Sequence, residues 1–353
     1  MQLIDHLLQA LLKRGASDLH LMIGQPAKLR VHGTMESLTD DIITEDYMEK
    51  MLHEICPQKD WEHFLKNKDL DFAYELPGKA RFRANYLYNY YGIAAVLRHI
   101  PSKIPTMQEL HLPTVLEKIC DSDSGLYCIT GPTGSGKSTT LAAMIGYINS
   151  KYSKHIITLE NPIEFVHKNK KSIIVHREIG VHARSFSSAL KNAMRSDPDI
   201  ILLGEMRDLE TIRLALTCAA MGILVFATLH TNNAPKTIDS IIDAFPVDEQ
   251  PQIKTLLSEA LRGVVSQLLC KKISEGRIAV HEILLWTEGL PNIIREGQLS
   301  NIHTIIDSNK GMGMQSIDNT LKKYLREKII SSEEAYMKAS NKKEFSAFLK
   351  EPE

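Results

Sequence analysis

Residues 126–138 read LYCITGPTGSGKS, an apolar run followed by a glycine-rich loop that fits the pattern G-x-x-x-x-G-K-[ST]. The apolar run predicts a strand and the residues after the loop predict a helix, which is the setting that a P-loop needs. Gly131, Gly134 and Gly136 allow backbone N–H groups to turn toward a phosphate, and the helix start adds the positive end of its dipole. These features predict a nucleoside triphosphate site.

The residues of this loop have distinct expected roles. The Lys137 ammonium would reach the outer phosphates, and the Ser138 hydroxyl would bind Mg²⁺. A chance match in an ordinary glycine-rich turn is disfavoured, because the strand and the helix both lie where the motif requires them. We therefore predict ATP and Mg²⁺ as cofactors. The predicted nucleotide-binding residues of the loop are Gly131, Pro132, Thr133, Gly134, Ser135, Gly136, Lys137, Ser138 and Thr139.

Size and composition limit the classes of protein to which the chain can belong. Its 353 residues, 43% of them hydrophobic, are enough for two domains with separate cores. The 42 Lys and Arg residues nearly balance the 43 Asp and Glu residues, so nucleic acid is not a predicted partner. No apolar run of about eighteen residues occurs, and the N-terminus lacks the features of a secretory signal. We expect a soluble protein, peripheral to a membrane at most. The 5 cysteines form no C-x-x-C pair, which is typical of a cytosolic chain with reduced thiols.

Residues 1–99 predict a small α+β domain. A helix ending near Gly15 precedes short alternating runs, a helical stretch at residues 45–55 and a hairpin within residues 71–98. Residues 81–88 read RFRANYLY, which places Arg81 and Arg83 on one face of a strand and apolar side chains on the other. A solvated surface is the simpler interpretation of these arginines from the residues alone. Residues 100–112, which begin with two prolines in six residues, predict an extended linker.

Residues 113–353 alternate between strand and helix patterns. Apolar β-rich runs occupy residues 126–130, 156–160, 200–204 and 224–229, with helical patterns between them. Such alternation predicts an α/β domain with a parallel sheet covered by helices. In sheets of this kind, chemistry gathers beyond the carboxyl ends of the strands. The P-loop, Glu160, Glu205 and His230 each end or follow one of the four runs.

Three of these strand-end side chains have candidate roles. Glu205 ends the run DPDIILLGE and is the predicted catalytic group that orients and deprotonates the attacking water. Glu160 could hold magnesium directly or through water, and Glu164 could share that task. For each carboxylate the alternative is a strand-end charge without a ligand. His230 could hydrogen-bond a phosphate or signal its loss, and a structural histidine is an equally good interpretation.

Four segments together resemble the secretion and type IV pilus ATPases, and more closely their PilT-like retraction branch. The segments are GPTGSGKSTTLAAMI, NPIEF, DPDIILLGEMRDLETI and FATLHTNNAPKTIDSIIDAFP, and the resemblance extends over almost the whole chain. It implies an N-terminal PAS-like domain, a C-terminal RecA-like ATPase domain and a homohexameric ring. The expected function is an ATP-hydrolysing motor that powers pilus retraction, and so twitching motility, through nucleotide-driven domain closure.

The resemblance also implies roles for particular arginines and partners. Arg81, Arg83 and Arg98 match positions that approach nucleotide from the N-terminal domain, where the planar guanidinium suits phosphate oxygens. Arg195 and Arg207 match arginines near the site. The implied partners are an inner-membrane pilus platform protein and, as a further option, a paralogous retraction ATPase. The implied location is the cytoplasmic face of the inner membrane.

Three positions depart from the family pattern. Asn161 follows Glu160 where an aspartate is usual, so one negative charge near the metal is missing. Ile223 stands where a T-G-H triplet has a second histidine. Pro291 stands where an AIRNLIRE-like segment has an arginine, and we expect it to shift the start of that helix.

These departures keep other functions open. An assembly or secretion ATPase is disfavoured, because such chains add an N-terminal domain and a tetracysteine zinc insertion that this chain lacks. A nucleotide-binding accessory paralogue without turnover stays an alternative. A small-molecule kinase is disfavoured because no arginine-rich lid segment is evident. The lysine-rich helical stretch at residues 314–344 is either a solvated face or a platform contact.

Overall fold

The structure is a computed structural model that describes residues 2–31, 33–100 and 103–349. These residues form two compact units. The first comprises the residues up to Lys103 together with Pro162–Val166, and the second comprises Ile104–Asn161 and the residues from His167 onward. None of the helices in these ranges is long and apolar enough to cross a membrane.

The first unit contains a six-stranded antiparallel sheet in the order β3-β2-β1-β6-β5-β4. Its strands are β1 (Asp18–Met22), β2 (Pro26–Val31), β3 (Thr34–Ile42), β4 (Asp69–Leu76), β5 (Ala80–Asn89) and β6 (Gly92–Ile100). Its helices are α1 (Asp5–Lys13), α2 (Glu45–Ile55) and α3 (Gln58–Asn67). Leu8, Met48, Phe64 and Tyr86 are buried in one apolar core on a single face of the sheet.

The alternation predicted for residues 81–88 is confirmed by β5. Phe82 and Tyr86 are fully buried, whereas Arg81 and Arg83 are only partly buried. A strand presents successive side chains to opposite faces, so the core takes the aromatic residues and the other face keeps the arginines. This face of the first unit is therefore polar where β5 and β6 run side by side.

The second unit contains a seven-stranded sheet in the order β13-β12-β7-β11-β10-β8-β9. All neighbouring pairs are parallel except β12 and β13. Its strands are β7 (Gly125–Thr130), β8 (His155–Glu160), β9 (Ile173–Glu178), β10 (Ile200–Leu203), β11 (Leu224–Leu229), β12 (Leu261–Lys271) and β13 (Arg277–Leu285). The four parallel strands that the sequence predicts are confirmed, and β9, β12 and β13 extend the sheet beyond that prediction.

Helices cover this sheet on both faces. They are α4 (Val115–Cys120), α5 (Lys137–Lys151), α6 (Phe186–Ala193), α7 (Leu209–Ala220), α8 (Ala234–Asp243), α9 (Gln250–Ala260), α10 (Leu290–Glu296), α11 (Ile302–Ser308), α12 (Ile317–Arg326), α13 (Ser332–Lys338) and α14 (Lys342–Phe345). Short 3₁₀ helices occupy Leu299–Asn301 and Lys310–Met312. Every residue of β7, β10 and β11 is buried, because apolar helix faces pack on both sides of these strands.

Candidate nucleotide site

The P-loop turns sharply between β7 and α5. Gly131, Gly134 and Gly136 have φ angles of 143°, 79° and 87°, a region that favours glycine. A Cβ atom on Gly131 would lie 2.2 Å from the backbone oxygen of Gln267 on β12, so the loop lies directly against the neighbouring strand. Pro132 is exposed at the outer turn of the loop. The loop therefore has both the backbone conformation and the close packing that the glycines were expected to allow.

Lys137 folds back over the loop that precedes it. Its Nζ donates hydrogen bonds to the backbone oxygens of Gly131 at 2.7 Å and Pro132 at 3.1 Å. An ammonium carries three donors and no acceptor, so it can exchange carbonyl partners for phosphate oxygens without a change of chemistry. Ser138 and Thr139 follow in the first turn of α5, where both are partly exposed.

Four strand ends meet at one edge of the sheet. Because β7, β11, β10 and β8 are parallel neighbours, Thr130, His230, Glu205 and Glu160 all follow or end strands at the same carboxyl edge. The absence of a side chain at Gly204 allows close packing at this edge, since a Cβ atom on it would lie 3.1 Å from the backbone oxygen of Leu159. The structure thus places the two carboxylates at the ends of adjacent strands, at the same edge of the sheet as the P-loop.

Both carboxylate oxygens of Glu205 have cationic or ring-nitrogen partners. Arg207 Nη2 lies 2.7 Å from Oε2, and His230 Nε2 lies 3.0 Å from Oε1. Burial raises the pKa of Glu205, but the hydrogen bond and charge of Arg207, together with His230, outweigh it and hold the pKa below its ordinary value. Glu205 is therefore an ionised carboxylate whose basicity is reduced in this arrangement. The Arg207 side chain is 70% exposed, so it has room to move away.

Glu160 is the other carboxylate at this edge, and its side chain is 15% exposed. His176 Nδ1 on β9 lies 3.9 Å from Glu160 Oε1 and 2.8 Å from the Thr158 hydroxyl. The backbone N–H of His167 donates to His176 Nε2 at 3.0 Å. Because Nε2 accepts, Nδ1 carries the proton and donates to Thr158. A fixed ring thus stands beside Glu160.

The arginines of the first unit lie on the polar face of its sheet. Arg83 and Arg98 are cross-strand partners on β5 and β6. Arg98 Nε lies 2.7 Å from an oxygen of the buried Asp18, and Arg83 Nε lies 3.3 Å from Asp71. Burial raises the pKa of Asp18, but hydrogen bonds from Ser17 and Arg98 outweigh it and lower that pKa.

Arg81 differs from these two arginines. Its Nη1 atom is buried and has no hydrogen-bond partner among the residues that the structure describes. A buried guanidinium donor without an acceptor is costly, and an anionic ligand would satisfy it. The polar face of the first unit therefore carries an unused cationic donor.

Two further predicted residues, Glu164 and Arg195, do not stand at the end of one of these parallel strands. Glu164 belongs to Pro162–Val166, a segment of the first unit, whereas Glu160 belongs to the second. Arg195 is exposed just after α6. The roles of both residues stay predictions.

The three departures from the family pattern take different places in the fold. Asn161 is exposed directly after β8. Ile223 precedes β11, at the sheet edge opposite to the P-loop, where its backbone oxygen accepts from Gly125 N–H at 3.1 Å. Pro291 lies in the first turn of α10, which begins at Leu290. The missing N–H of Pro291 costs nothing there, because the first turn of a helix has no internal acceptor for it.

A buried polar group that sequence analysis did not predict lies beneath the P-loop. Gln267 on β12 and His281 on β13 hydrogen-bond to each other and are almost wholly buried. Glu282 follows on β13, and its carboxylate accepts the backbone N–H of Ala234 at 2.7 Å, at the start of α8. The β-branched run in residues 261–268 was the available signal for β12, but nothing in it revealed these contacts.

The strand, glycine loop and helix, with carboxylates on the adjacent parallel strands, define a P-loop nucleotide-binding protein of the RecA-like type. The family model for type II/IV secretion system proteins matches residues 1–276. The type IV pilus retraction ATPase PilT of Pseudomonas aeruginosa is 47% identical over 339 residues, which are 95% of this chain and 98% of that protein. The type IV pilus ATPase PilU of the same organism is 35% identical over 98% of this chain and 91% of that protein.

A solved structure agrees with these similarities. The crystal structure of the pilus retraction motor PilT with bound ADP superposes with a TM-score of 0.89, at 40% identity, and covers 98% of this chain and 99% of that one. The chain belongs to the type II/IV secretion system protein family. The predicted fold class and the resemblance to the retraction branch of the secretion ATPases are both confirmed.

Proposed function

We propose that this chain is an ATP-hydrolysing motor that powers retraction of type IV pili as a homohexameric ring. The observation that carries the proposal is the end-to-end similarity to PilT, at 47% identity over 95% of the chain. The candidate site supports it, because the loop, the base candidate and the cationic groups that such a motor needs are all present. The nucleotide substrate is ATP, and its hydrolysis would drive the ring.

The loop would hold the phosphates of ATP. Backbone N–H groups of residues 131–139 would face the phosphate oxygens, and Lys137 would exchange its two carbonyl partners for the outer phosphates. Arg195 would add charge near the site. The two hydrogen bonds from Lys137 to loop carbonyl oxygens also contribute to the stability of the loop.

Residues suited to a magnesium ion lie in the first turn of α5 and at the carboxyl end of β8. The Ser138 hydroxyl and the Glu160 carboxylate are oxygen ligands of the kind that Mg²⁺ prefers, and both side chains are at least partly accessible. Glu164 is the proposed additional carboxylate. When bound, Mg²⁺ would neutralise charge on the outer phosphates. His176 and Thr158 would keep Glu160 oriented, while the uncharged Asn161 leaves this region one negative charge poorer than the family pattern.

Glu205 would orient and deprotonate the attacking water. In the present arrangement Arg207 and His230 take both of its oxygens and lower its pKa, so it is a poor base. Movement of the exposed Arg207 toward a phosphate would free one oxygen and raise that pKa. Arg207 would then stabilise the phosphate charge, and His230 would keep Glu205 in place. Nucleotide binding and the activation of Glu205 as a base would thus be linked.

Arg81, Arg83 and Arg98 would supply cations from the N-terminal domain when it closes on nucleotide. Arg81 has the best-supported role, because its buried donor has no partner in the first unit as described. Closure on ATP and reopening after hydrolysis would be the motor stroke. A linker at residues 100–112 would allow the N-terminal domain, residues 1–99, to move relative to residues 113–353.

The proposed partners follow from the same similarity. An inner-membrane platform protein would receive the stroke at the cytoplasmic face of the membrane. A paralogous ATPase is a further proposed partner, since the chain is similar to PilU as well as to PilT. The second candidate function is therefore an accessory subunit that binds nucleotide without turnover, and Asn161 and Ile223 are the residues that favour it.

Magnesium-dependent ATP turnover by the purified full-length chain tests the enzymatic part. We expect Glu205→Gln to lower turnover by about 10²- to 10⁴-fold while it retains nucleotide binding, because a general base is lost and the loop is unchanged. Glu210→Gln is the matched control, since Glu210 is an exposed carboxylate at the start of α7. Nucleotide binding without turnover in the unmodified chain would instead support the accessory subunit.

Filament counts on cells test the direction of force. Deletion of a retraction motor leaves filaments that cannot be withdrawn, so we expect more surface pili and loss of twitching in the source organism. Complementation with the unmodified chain should restore both, and Glu205→Gln should restore neither. Cells without pili after the deletion would indicate an assembly or secretion ATPase instead.

A further inference from the structure

Gln267 lies at the one point where three parts of the nucleotide site meet. It follows Ser266, which pairs with Thr130 at the end of β7, so Gln267 stands beside the first residues of the P-loop. Gln267 is 2% exposed, and a Cβ atom on Gly136 would lie 2.9 Å from its Nε2. The loop thus rests on this one side chain.

The Gln267 amide makes three hydrogen bonds. Its Nε2 donates to the backbone oxygen of Ser135 in the loop at 2.6 Å. Its Oε1 accepts from the Thr140 hydroxyl in the first turn of α5 at 2.8 Å, and it lies 3.2 Å from His281 Nε2 on β13. One buried amide therefore connects the loop, the helix that follows it and the strand behind it.

The bond to Ser135 determines where the next N–H group points. In a trans peptide the C=O and the following N–H are antiparallel. Because the Ser135 carbonyl is held toward Gln267, the N–H of Gly136 points the opposite way, away from the Gln267 amide. That direction is the one that a phosphate requires of the loop's N–H groups.

His281 fixes the direction of the Gln267 amide. Ser135 offers only a carbonyl oxygen, so Nε2 must face it, and Oε1 must then face groups that donate. His281 is the cross-strand partner of Gln267 and is 1% exposed. Burial lowers the pKa of His281 to about 4, so the ring is neutral near pH 7 and its Nε2 carries the proton.

We propose that Gln267, oriented by His281 and Thr140, is a positioning residue that holds the P-loop in its phosphate-binding conformation before nucleotide arrives. The inference rests on the proposed function insofar as the loop binds a nucleotide. Its consequence is that Gln267 affects the affinity for nucleotide and leaves the chemical step alone, because a bound phosphate imposes the same loop conformation at saturation.

Gln267→Met in the full-length chain tests this role, since methionine has a similar volume and cannot make the three bonds. Titration with ADP and Mg²⁺ should show a Kd about tenfold higher than that of the unmodified chain. The KM for ATP should rise by a similar factor, with kcat within about twofold of the unmodified value. Thr140→Val is the second variant, and should raise Kd by about threefold because it removes one of the three bonds.

Asn149→Leu is the matched control. Asn149 is a buried amide at the far end of the same helix, bonded to the backbone of residues 168–170, and its loss should lower stability without change in Kd. An unchanged Kd in Gln267→Met, or in Thr140→Val if the first variant does not fold, would overturn the inference. An equal rise of Kd in Asn149→Leu would do so too. Absence of ADP binding in the unmodified chain would refute the proposed function itself.

Discussion

His281 should make the stability of the second unit depend on pH in a measurable way. Its imidazole is buried, and burial lowers its pKa from 6.5 to about 4. In the unfolded chain the ring takes up a proton as the pH falls below about 6.5, whereas in the folded protein it stays neutral down to about pH 4. The unfolded state therefore binds more protons in this window, and stability falls as the pH is lowered through it.

The size of the effect follows from the two pKa values. A pKa shift of this size corresponds to a maximum loss of about 3 kcal/mol in the free energy of unfolding, reached below pH 4. Between pH 7.5 and 5.5 the loss amounts to about 1.3 kcal/mol from His281 alone. His167 is also buried, and its pKa is lowered to about 4, so it adds a second contribution with the same sign.

Urea unfolding at pH 7.5 and 5.5, at one protein concentration, measures this loss. Between the two pH values, the free energy of unfolding of His281→Gln should fall by about 1.3 kcal/mol less than that of the unmodified chain. This difference should hold even if the variant is less stable at both pH values. His303→Gln, which replaces an exposed histidine on α11, should follow the unmodified chain. An identical pH dependence in the unmodified chain and His281→Gln would refute the reasoning.

Four further substitutions have expected outcomes that differ in kind. Lys137→Ala should weaken ATP binding by about 100-fold in equilibrium titration, because a charge-assisted contact to the phosphates is lost. Gly131→Ala should lower the free energy of unfolding in urea by about 3 kcal/mol or more, since its Cβ would lie 2.2 Å from the backbone oxygen of Gln267. Gly134→Ala should lower it by about 1 kcal/mol, because only its φ of +79° opposes a side chain. Arg81→Ala should lower ATP turnover by about tenfold or more, with circular dichroism unchanged, and normal turnover would make this arginine a surface residue.

Much of the second unit could be predicted because its central strands are buried on both faces. Such strands have unbroken apolar sequences, as in Ile200–Leu203, and a candidate functional side chain ends or follows each of them. The alternation in β5 was equally readable, because one face of that sheet packs on helices and the other does not. Local pattern and burial therefore agree in these elements.

Strands β12 and β13, which sequence analysis did not predict, show where the local hydrophobic pattern is insufficient. In β12 and β13 the buried faces include Gln267, His281 and Glu282, whose polarity is satisfied only by partners far away in sequence. The sequence pattern does not distinguish such residues from exposed ones, because a polar side chain is buried only where the fold provides hydrogen-bond partners for it. Glu160 and Glu164, although only four residues apart, belong to different units, so their shared role in metal binding stays a prediction.

The internal hydrogen bonds and ion pairs of Lys137 and Glu205 bear on how hydrolysis would be controlled. Lys137 is bonded to loop carbonyls and Glu205 to Arg207 and His230, so these two groups, which would act on ATP, already have internal partners. In the proposed mechanism, a triphosphate would offer Lys137 and Arg207 a stronger acceptor than they have, and only the exchange at Arg207 would free Glu205. A nucleotide that binds the loop without drawing Arg207 away, such as a diphosphate, would leave Glu205 paired and its pKa low. Control by this exchange would link the protonation state of Glu205 to the length of the phosphate chain, which is what a motor needs if it is to distinguish ATP from its product.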